Sequence, residues 1–474
     1  MTDTHPTGRI PLQPSPSRRR YAVVGTGGRS QMYLEALATT HADVGVVSAL
    51  VDGNEVRMAY YEEFLAAAGQ DEPPRRYRPE QFDDLLRHDR PDAVIVTSPD
   101  HTHARYVVAA LDAGVDVVCE KPLTIDAESL RAIVEAARTS TADLVVTFNY
   151  RYSPRNSALR RVITDGRIGE VTSVHFEWCL DTVHGADYFR RWHREKANSG
   201  GLLVHKSTHH FDLVNWWIDD APETVFALGG LRFYGAANAA RRGLGPRPEL
   251  GRAAVGQGDP FVLDLAADDK LRRLFLEGEA LDGYHRDRDV FTDGITIEDN
   301  LTLAVGYSRG ASMAYTLNAH SPWEGYRVAV NGTRGRVELE VVERSHVDAV
   351  GLTSGGDPGK SAPVVDPSAT PDDSEAAAQS LRPWGSRLLL QEHWQPPQVV
   401  PIPEGAGSHG GGDAVLLDDV LRGASDDPLH RRAGYLDGVR SVLVGVAGNA
   451  SLASGRAVGL AEFGLPLRAE EVPA

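Results

Sequence analysis

Cysteine is nearly missing from this sequence: Cys119 and Cys179 are the two in 474 residues. Two thiols cannot build a disulfide framework, and such sparing use suits a reducing compartment. Positive charge is also short. Lys and Arg number 49 against 66 Asp and Glu, a net charge of −17. Nucleic-acid phosphates are bound through basic surfaces, so this balance argues against nucleic acid as a partner. No apolar run approaches the ~20 residues that cross a bilayer, so no membrane partner is expected. The remaining composition, 42% hydrophobic and 24% charged, is that of an ordinary globular chain. Its length predicts two domains. No internal repeat is visible.

The first residues, 1–20, read as a disordered tail rich in Pro, Thr and Ser. Ser17-Arg-Arg-Arg20 has the outline of a twin-arginine signal, but no apolar segment or small-residue cleavage site follows. The arginines run straight into an apolar strand. The expectation is an untargeted, cytoplasmic protein.

That strand leads into Tyr21-Ala-Val-Val-Gly25-Thr26-Gly27-Gly28-Arg29-Ser30, after which Gln31 to Ala38 has a helical pattern. This is how a buried parallel strand turns sharply into a helix. Gly25 permits the turn and Gly27 lets a phosphate approach the backbone. The helix N-terminus offers unpaired N–H groups to a pyrophosphate. Ser30 stands where the dinucleotide fingerprint has Gly or Ala, and a plain structural turn is the competing reading. Val44 to Val51 is a second unalternated apolar run, ending at Asp52. An acid there would accept from the adenosine ribose and repel a 2′-phosphate, favouring NAD over NADP. Arg57 nearby softens that preference, and Asp52 could instead cap the helix Glu55 to Ala68.

Further strands follow at Ala93 to Val96, Val115 to Cys119 and Leu144 to Phe148, separated by helical stretches. The alternation predicts a doubly wound parallel α/β sheet over residues 21–150, with ligands beyond the strand carboxyl ends. Asp52, Ser98, His101, Lys121 and Asn149 should therefore converge on one crevice. From Arg151 onward the pattern changes. Val171 to Leu180, Thr224 to Tyr234, Asn300 to Asn318, Tyr326 to Asn331 and Val337 to Val342 alternate as half-exposed strands do. Residues 151–474 thus read as an α/β domain with a large open, mostly antiparallel sheet. Gly235 to Gly258 reads as a loop insertion and Gly355 to Ser374 as a mobile segment.

Two clusters carry chemistry. Lys121 ends a buried strand, where burial and a neighbouring cation would lower its pKa enough for proton shuttling. An exposed salt-bridging lysine is the bland alternative. Glu120 is a cofactor contact or an ordinary loop acid. In Gly200-Gly-Leu-Leu-Val-His205-Lys206-Ser-Thr-His209-His210-Phe-Asp212, His205 and His209 would lie one turn apart on a helix face. His at i and i+4 is also a zinc spacing, but no third ligand is evident, so no metal is expected. Packing histidines are a further alternative. Tyr284-His-Arg-Asp-Arg-Asp289 and Ser408-His409-Gly-Gly-Gly-Asp413 could also line a pocket. Asp413 is read as a helix N-cap and His409 as a substrate contact.

These motifs resemble the glucose–fructose oxidoreductase/inositol dehydrogenase family, written Gfo/Idh/MocA. The matching pieces are the Gly25 to Ser30 turn, Thr97-Ser-Pro-Asp-His101-Thr-His103, Ala109 to Gly114 and Val118-Cys-Glu-Lys-Pro-Leu123. Asn149-Tyr-Arg-Tyr152-Ser-Pro154, the Gly200 to Asp212 cluster, Pro322 to Val328 and Asn331 to Arg336 complete them. The resemblance implies a Rossmann domain, a sheet domain often used for homo-oligomers (dimer or tetramer), and bound NAD(P). It implies cofactor contacts from Gly25 to Ser30, Asp52, Ser98, His101, His103, Glu120, Lys121 and Asn149. Lys121 matches the lysine that meets substrate and nicotinamide, and His209 the acid/base histidine. The family commonly has an aspartate four residues before that histidine; here the position is His205, followed by Lys206. Neither can act as the anion that fixes a tautomer. Either the two bind an anionic or ketone-bearing substrate or His205 is itself the base, and Lys206 and Tyr152 join the expected substrate contacts. The implied activity is oxidoreduction at a secondary hydroxyl of a sugar, sugar derivative or cyclitol. The alternative is an NAD-dependent glycosidase working by transient oxidation, elimination, hydration and re-reduction; a nucleotide-binding sensor is the third reading.

Overall fold

Apolar runs without polar alternation need cover on both faces, and they receive it here. In the computed structural model, which describes residues 18–347, 381–404, 408–423 and 426–471, six strands form one parallel sheet. They are β1 (Arg19–Val24), β2 (Gly45–Val51), β3 (Arg75–Tyr77), β4 (Ala93–Val96), β5 (Asp116–Cys119) and β6 (Leu144–Val146), in the order β3-β2-β1-β4-β5-β6. Helices α1 (Ser30–Ala38), α2 (Glu55–Ala67), α3 (Phe82–His88), α4 (His103–Asp112) and α5 (Ala127–Thr139) make the crossovers. α5 shows why: Leu130, Ile133 and Val134 form its buried stripe, and the Asp126 carboxylate caps it by accepting from Ser129 N.

Val24 pairs with Val51 on one side and Val96 on the other, and Val96 pairs with Cys119. The carboxyl ends are thus level, and the strand order reverses between β1 and β4. That reversal opens a crevice, the usual ligand position in such sheets. β3 was not legible as a strand, because Arg75 and Arg76 are charged and exposed. An edge strand tolerates this, since one side stays in water. β1 begins at Arg19, so residues 19 and 20 belong to the sheet and not to the tail; residues 1–17 lie outside the described residues, as does the segment 355–374 expected to be mobile.

The second sheet has nine strands: β7 (Val171–Asp181), β8 (Pro222–Gly230), β9 (Asn300–Tyr307), β10 (Ser312–Ser321), β11 (Glu324–Gly332), β12 (Gly335–Arg344), β13 (Gly385–Glu392), β14 (Gln398–Val400) and β15 (Val458–Gly459). Their order is β14-β13-β12-β11-β7-β10-β9-β8-β15, antiparallel except for the β7–β10 pair. The stretch Asn300 to Asn318 is a hairpin of two strands. β10 buries Met313, Tyr315 and Leu317 and exposes Ser312, Ala314 and Thr316, so one face is packed and the other open. Phe176, Trp178, Tyr315 and Tyr326 fill the packed face beneath the helix Thr208–Ile218.

Between β8 and β9 lies a long insertion, residues 231–299. The loop expected at 235–258 starts with a short helix, Ala236–Arg241. The insertion is anchored: Asp299 accepts from the backbone N–H of Arg232, Phe233 and Tyr234, and Tyr234 donates to Ala319 O at 2.9 Å.

Candidate active site

A cleft of about 860 Å³ runs from the β1–α1 loop to the Gly200 to Asp212 cluster. Gly25, at φ +84°, has room for no side chain: a Cβ there would sit 2.6 Å from the Ser98 backbone. Gly27 and Gly28 face the opposite situation. A Cβ on either would meet no protein atom within 4 Å, so the loop stands open where an anion can reach its backbone. Thr26 and Ser30, expected as cofactor contacts, are fully buried and do not line the cleft. Ser30 Oγ donates to Gly27 O at 2.7 Å, and Thr26 N and Oγ1 donate to Asp52 at 2.7 and 2.8 Å. They shape the loop.

Asp52 lines the cleft at the end of β2. It is not a helix cap; Asn54 caps α2, accepting from Val56 N and Arg57 N. Arg57 Nη2 bridges Asp52 Oδ1 (3.1 Å) and Asp282 Oδ2 (2.5 Å). Ser98, His101 and Asn149 also line the cleft. His103 does too, but its ring is committed to the backbone: Nδ1 meets Pro122 O and Nε2 meets Ser98 O, each at 2.8 Å. That ring clips the β4–α4 loop to the β5 loop. Glu120 accepts from Arg29 Nε at 2.6 Å and from the Tyr33 hydroxyl at 2.8 Å, tying the glycine loop to the end of β5. Burial opposes its charge most strongly, but Arg29, Tyr33 and Lys121 together outweigh this and hold the carboxyl below its ordinary range.

Asn149 Nδ2 donates to Asp413 Oδ1 at 2.6 Å. Asp413 lies inside the helix Ser408–Arg422 and is not its N-cap. The His409 side chain lies outside the described residues. Tyr152 does not line the cleft; its hydroxyl donates to Asp419 and its ring is buried in the core around α1.

Lys121 donates from Nζ to His205 O at 3.1 Å. Burial pulls its pKa down to about 8, with Asp100 and Glu120 resisting and Lys206 assisting. His205 and His209 do not share one helix. Leu202–His205 is a short helix that ends at His205, and a new one begins at Thr208. Both rings still line the cleft, His209 against Tyr150 at 4.5 Å between centroids. Lys206 is buried, its ammonium 4.8 Å over the Trp178 ring and 3.4 Å from the Tyr150 hydroxyl. Burial pulls its pKa down as well, against Glu324 and Glu343.

A carboxylate meets His205 and not His209. Asp100 Oδ2 lies 2.5 Å from His205 Nδ1, where it can fix the tautomer of that ring from across the cleft. Asp100 was in view only as part of the Thr97 to His103 motif. Burial lowers the His205 pKa well below its ordinary value and raises that of Asp100, the latter opposed by Lys121 and Arg191. Burial thus disfavours charge on both groups, and a proton on His205 Nδ1 would donate to Asp100. No pattern in the sequence singles out the stretch after β7. It forms a short helix, α6 (His184–Arg190), and His184, Asp187, Tyr188, Arg191 and His193 all line the cleft. His184 links Glu324 (2.8 Å) to the Tyr188 hydroxyl (3.0 Å). His193 packs against His205 at 4.1 Å. No local pattern marks such residues, since short irregular helices have no periodicity to read. Tyr284 and Arg286 of the insertion line the cleft as well. Among the described residues, no three or more His, Cys, Asp or Glu are grouped to hold a metal, and no helix is long and apolar enough to cross a membrane.

The open glycine loop, the acid ending β2 and the cleft's size together fit a dinucleotide. Comparison with known proteins agrees. A family model described as "Oxidoreductase family, NAD-binding Rossmann fold" matches residues 19–148, and one described as "Oxidoreductase family, C-terminal alpha/beta domain" matches residues 160–460. The chain is 35% identical over 398 residues to the putative oxidoreductase YteT of Bacillus subtilis, covering 81% of this chain and 84% of that protein. An inositol 2-dehydrogenase of Rhizobium meliloti is 35% identical over 140 residues, covering 30% of this chain and 40% of that protein. Among solved structures, an aldose-aldose oxidoreductase from Caulobacter crescentus superposes with a TM-score of 0.58 at 17% identity, covering 93% of this chain and 99% of that one.

Proposed function

The chain belongs to the Gfo/Idh/MocA oxidoreductase family, and from that premise we propose that it is an NAD-dependent dehydrogenase acting on a secondary hydroxyl of a sugar, sugar derivative or cyclitol. One observation carries the reading: a single cleft holds an open glycine loop at one end and Lys121 with the Asp100–His205 pair at the other. Residues 21–150 hold the cofactor and residues 151–474 the substrate. The backbone of Gly27 and Gly28 receives the pyrophosphate and Asp52 the adenosine ribose. Arg57 is occupied between Asp52 and Asp282, so it cannot serve a 2′-phosphate, which supports NAD over NADP. When bound, the nicotinamide supplies the two-electron acceptor.

The chain's own part is proton handling. Neutral His205 accepts the hydroxyl proton at Nε2, while Asp100 on Nδ1 holds the ring in that tautomer and stabilises its charged form. Lys121 holds the substrate oxygen, and with a pKa of about 8 it carries a neutral fraction near physiological pH that can pass a proton onward. His209 offers a second hydrogen-bonding ring. A cytoplasmic homo-oligomer meeting through the open face of the nine-stranded sheet completes the reading.

The test is NADH formation by purified protein across a panel of sugars and cyclitols, with NADP run beside NAD. Oxidation of one class that is lost in Lys121→Met supports the reading. Tight NAD binding without oxidation of any panel member counts against it, and glycoside cleavage with no net NADH replaces it by the glycosidase.

A further inference from the structure

The wall of the cleft beside His205 carries an excess of guanidinium charge over carboxylate. Asp187 on α6 is buried, and three arginines surround it. Arg191 Nη1 donates to Oδ2 at 3.0 Å; Arg286 Nη1 and Arg190 Nη1 lie 2.7 and 3.9 Å from Oδ1. Arg190 is otherwise engaged, donating from Nε and Nη2 to Phe261 O. Burial opposes the charge of Asp187, yet the three guanidiniums hold its pKa at about 2. At Asp187 one carboxylate faces three guanidiniums, and Asp100 is the next acid within reach of Arg191, so the cluster keeps an excess of positive charge.

The hydrogen bonding is also incomplete. Arg286 is 3% exposed, and its Nη1 is paired with Asp187 Oδ1. Arg191 Nε is buried without a hydrogen-bond partner among the described residues. Buried donors are nearly always satisfied, so the protein alone leaves this guanidinium beside the cleft under-satisfied. Arg191 and Arg286 line the cleft, and Arg191 lies near enough to act electrostatically on both Asp100 and His205. The acceptor would thus sit on the same molecule whose hydroxyl meets His205. Trp192, which also lines the cleft, offers a flat face for a sugar ring.

We propose that the substrate is an acidic sugar, whose anionic group is received by Arg191 and Arg286 while the reacting hydroxyl faces His205 and Lys121. This rests on the dehydrogenase reading above and narrows its substrate class. Guanidinium forks match carboxylate and phosphate oxygens in bidentate fashion, so the anion is a ring carboxylate or a phosphate ester. Arg286 comes from the insertion between β8 and β9, which gives that insertion a role in specificity.

The experiment compares stereochemically matched compounds on the unaltered protein with NAD: hexuronates, their uronamides, the parent hexoses and the hexose 6-phosphates. NADH formation gives kcat/KM, and calorimetry in the presence of NADH gives binding. A preference of about 100-fold for one acidic series over its neutral partners is expected; which series leads identifies carboxylate or phosphate. In Arg286→Gln that preference should shrink to a few-fold, with Arg286→Lys intermediate. The unaltered-protein comparison does not depend on those variants folding. Equal or better use of the neutral sugars overturns the anion site and leaves the dehydrogenase reading standing. Arg286-dependent binding of the acids with no oxidation of any compound keeps the anion site and removes the dehydrogenase. Failure of every compound to bind overturns the proposal.

Discussion

Replacing Asp100 by Asn isolates what one carboxylate does for the cleft. The amide keeps the size and a neutral hydrogen bond to His205 Nδ1, and removes the charge 2.5 Å from that nitrogen. When His205 takes a proton, an imidazolium and a carboxylate with centres roughly 4 Å apart attract by about 4 kcal/mol at an effective dielectric of about 20. The residual neutral bond retains about 1 kcal/mol. Lys121 and Arg191 offset part of the remainder, leaving about 2 kcal/mol, which is roughly 30-fold in kcat. KM should change little, since the charge forms only as the proton moves. Stability should move the other way. Burial raises the Asp100 pKa above its ordinary value, so its ionised form opposes folding. That penalty is absent below the ordinary carboxylate pKa and grows as pH rises toward the raised one. Asn carries no such penalty, so at neutral pH the variant should melt at or above the parent. Steady-state kinetics and thermal melts on the same preparation decide it. Undiminished kcat would refute the reasoning, as would a loss of activity matched by a lowered Tm.

Other outcomes follow from single residues. Lys121 should impose a limb in which alcohol oxidation rises with pH through about 8, because the neutral amine is the form that accepts a proton; in Lys121→Arg that limb should vanish from the pH–rate profile. Gly25→Ala and Gly27→Ala should separate folding from binding. The first puts a Cβ 2.6 Å from the Ser98 backbone at φ +84° and should cost about 2 kcal/mol or more in a denaturant titration. The second meets no protein atom within 4 Å, so stability should hold while NAD affinity falls by roughly tenfold or more. Arg151 donates twice to buried Asp212, at 2.8 and 2.5 Å; Arg151→Leu strands that carboxylate and should lower stability by about 3–5 kcal/mol in the same titration.

The fold was legible where its causes are local. β1, β2, β4, β5 and β6 were found to within two residues at either end because unalternated apolar runs need cover on both faces. β3 escaped because its residues are charged and its strand state comes from pairing with β2. The Gly25 to Ser30 turn was visible, but its division of labour was not. Gly27 and Gly28 stand open, while Thr26 and Ser30 point inward to brace the loop.

By itself the sequence determined the two-sheet architecture, the crevice at the strand ends, and the presence there of Lys121, His205, Lys206 and His209. These follow from periodicity, glycine placement and a motif, all of which act over a few residues. The tertiary structure alone decided who meets whom. It broke the supposed continuous helix between His205 and His209. It moved Tyr152 out of the cleft, and brought Asp100 to His205 across 105 residues. It also set Arg286 of the insertion against Asp187 of α6. Such contacts depend on how the sheets and their connections lie in space, and no spacing along the chain encodes them.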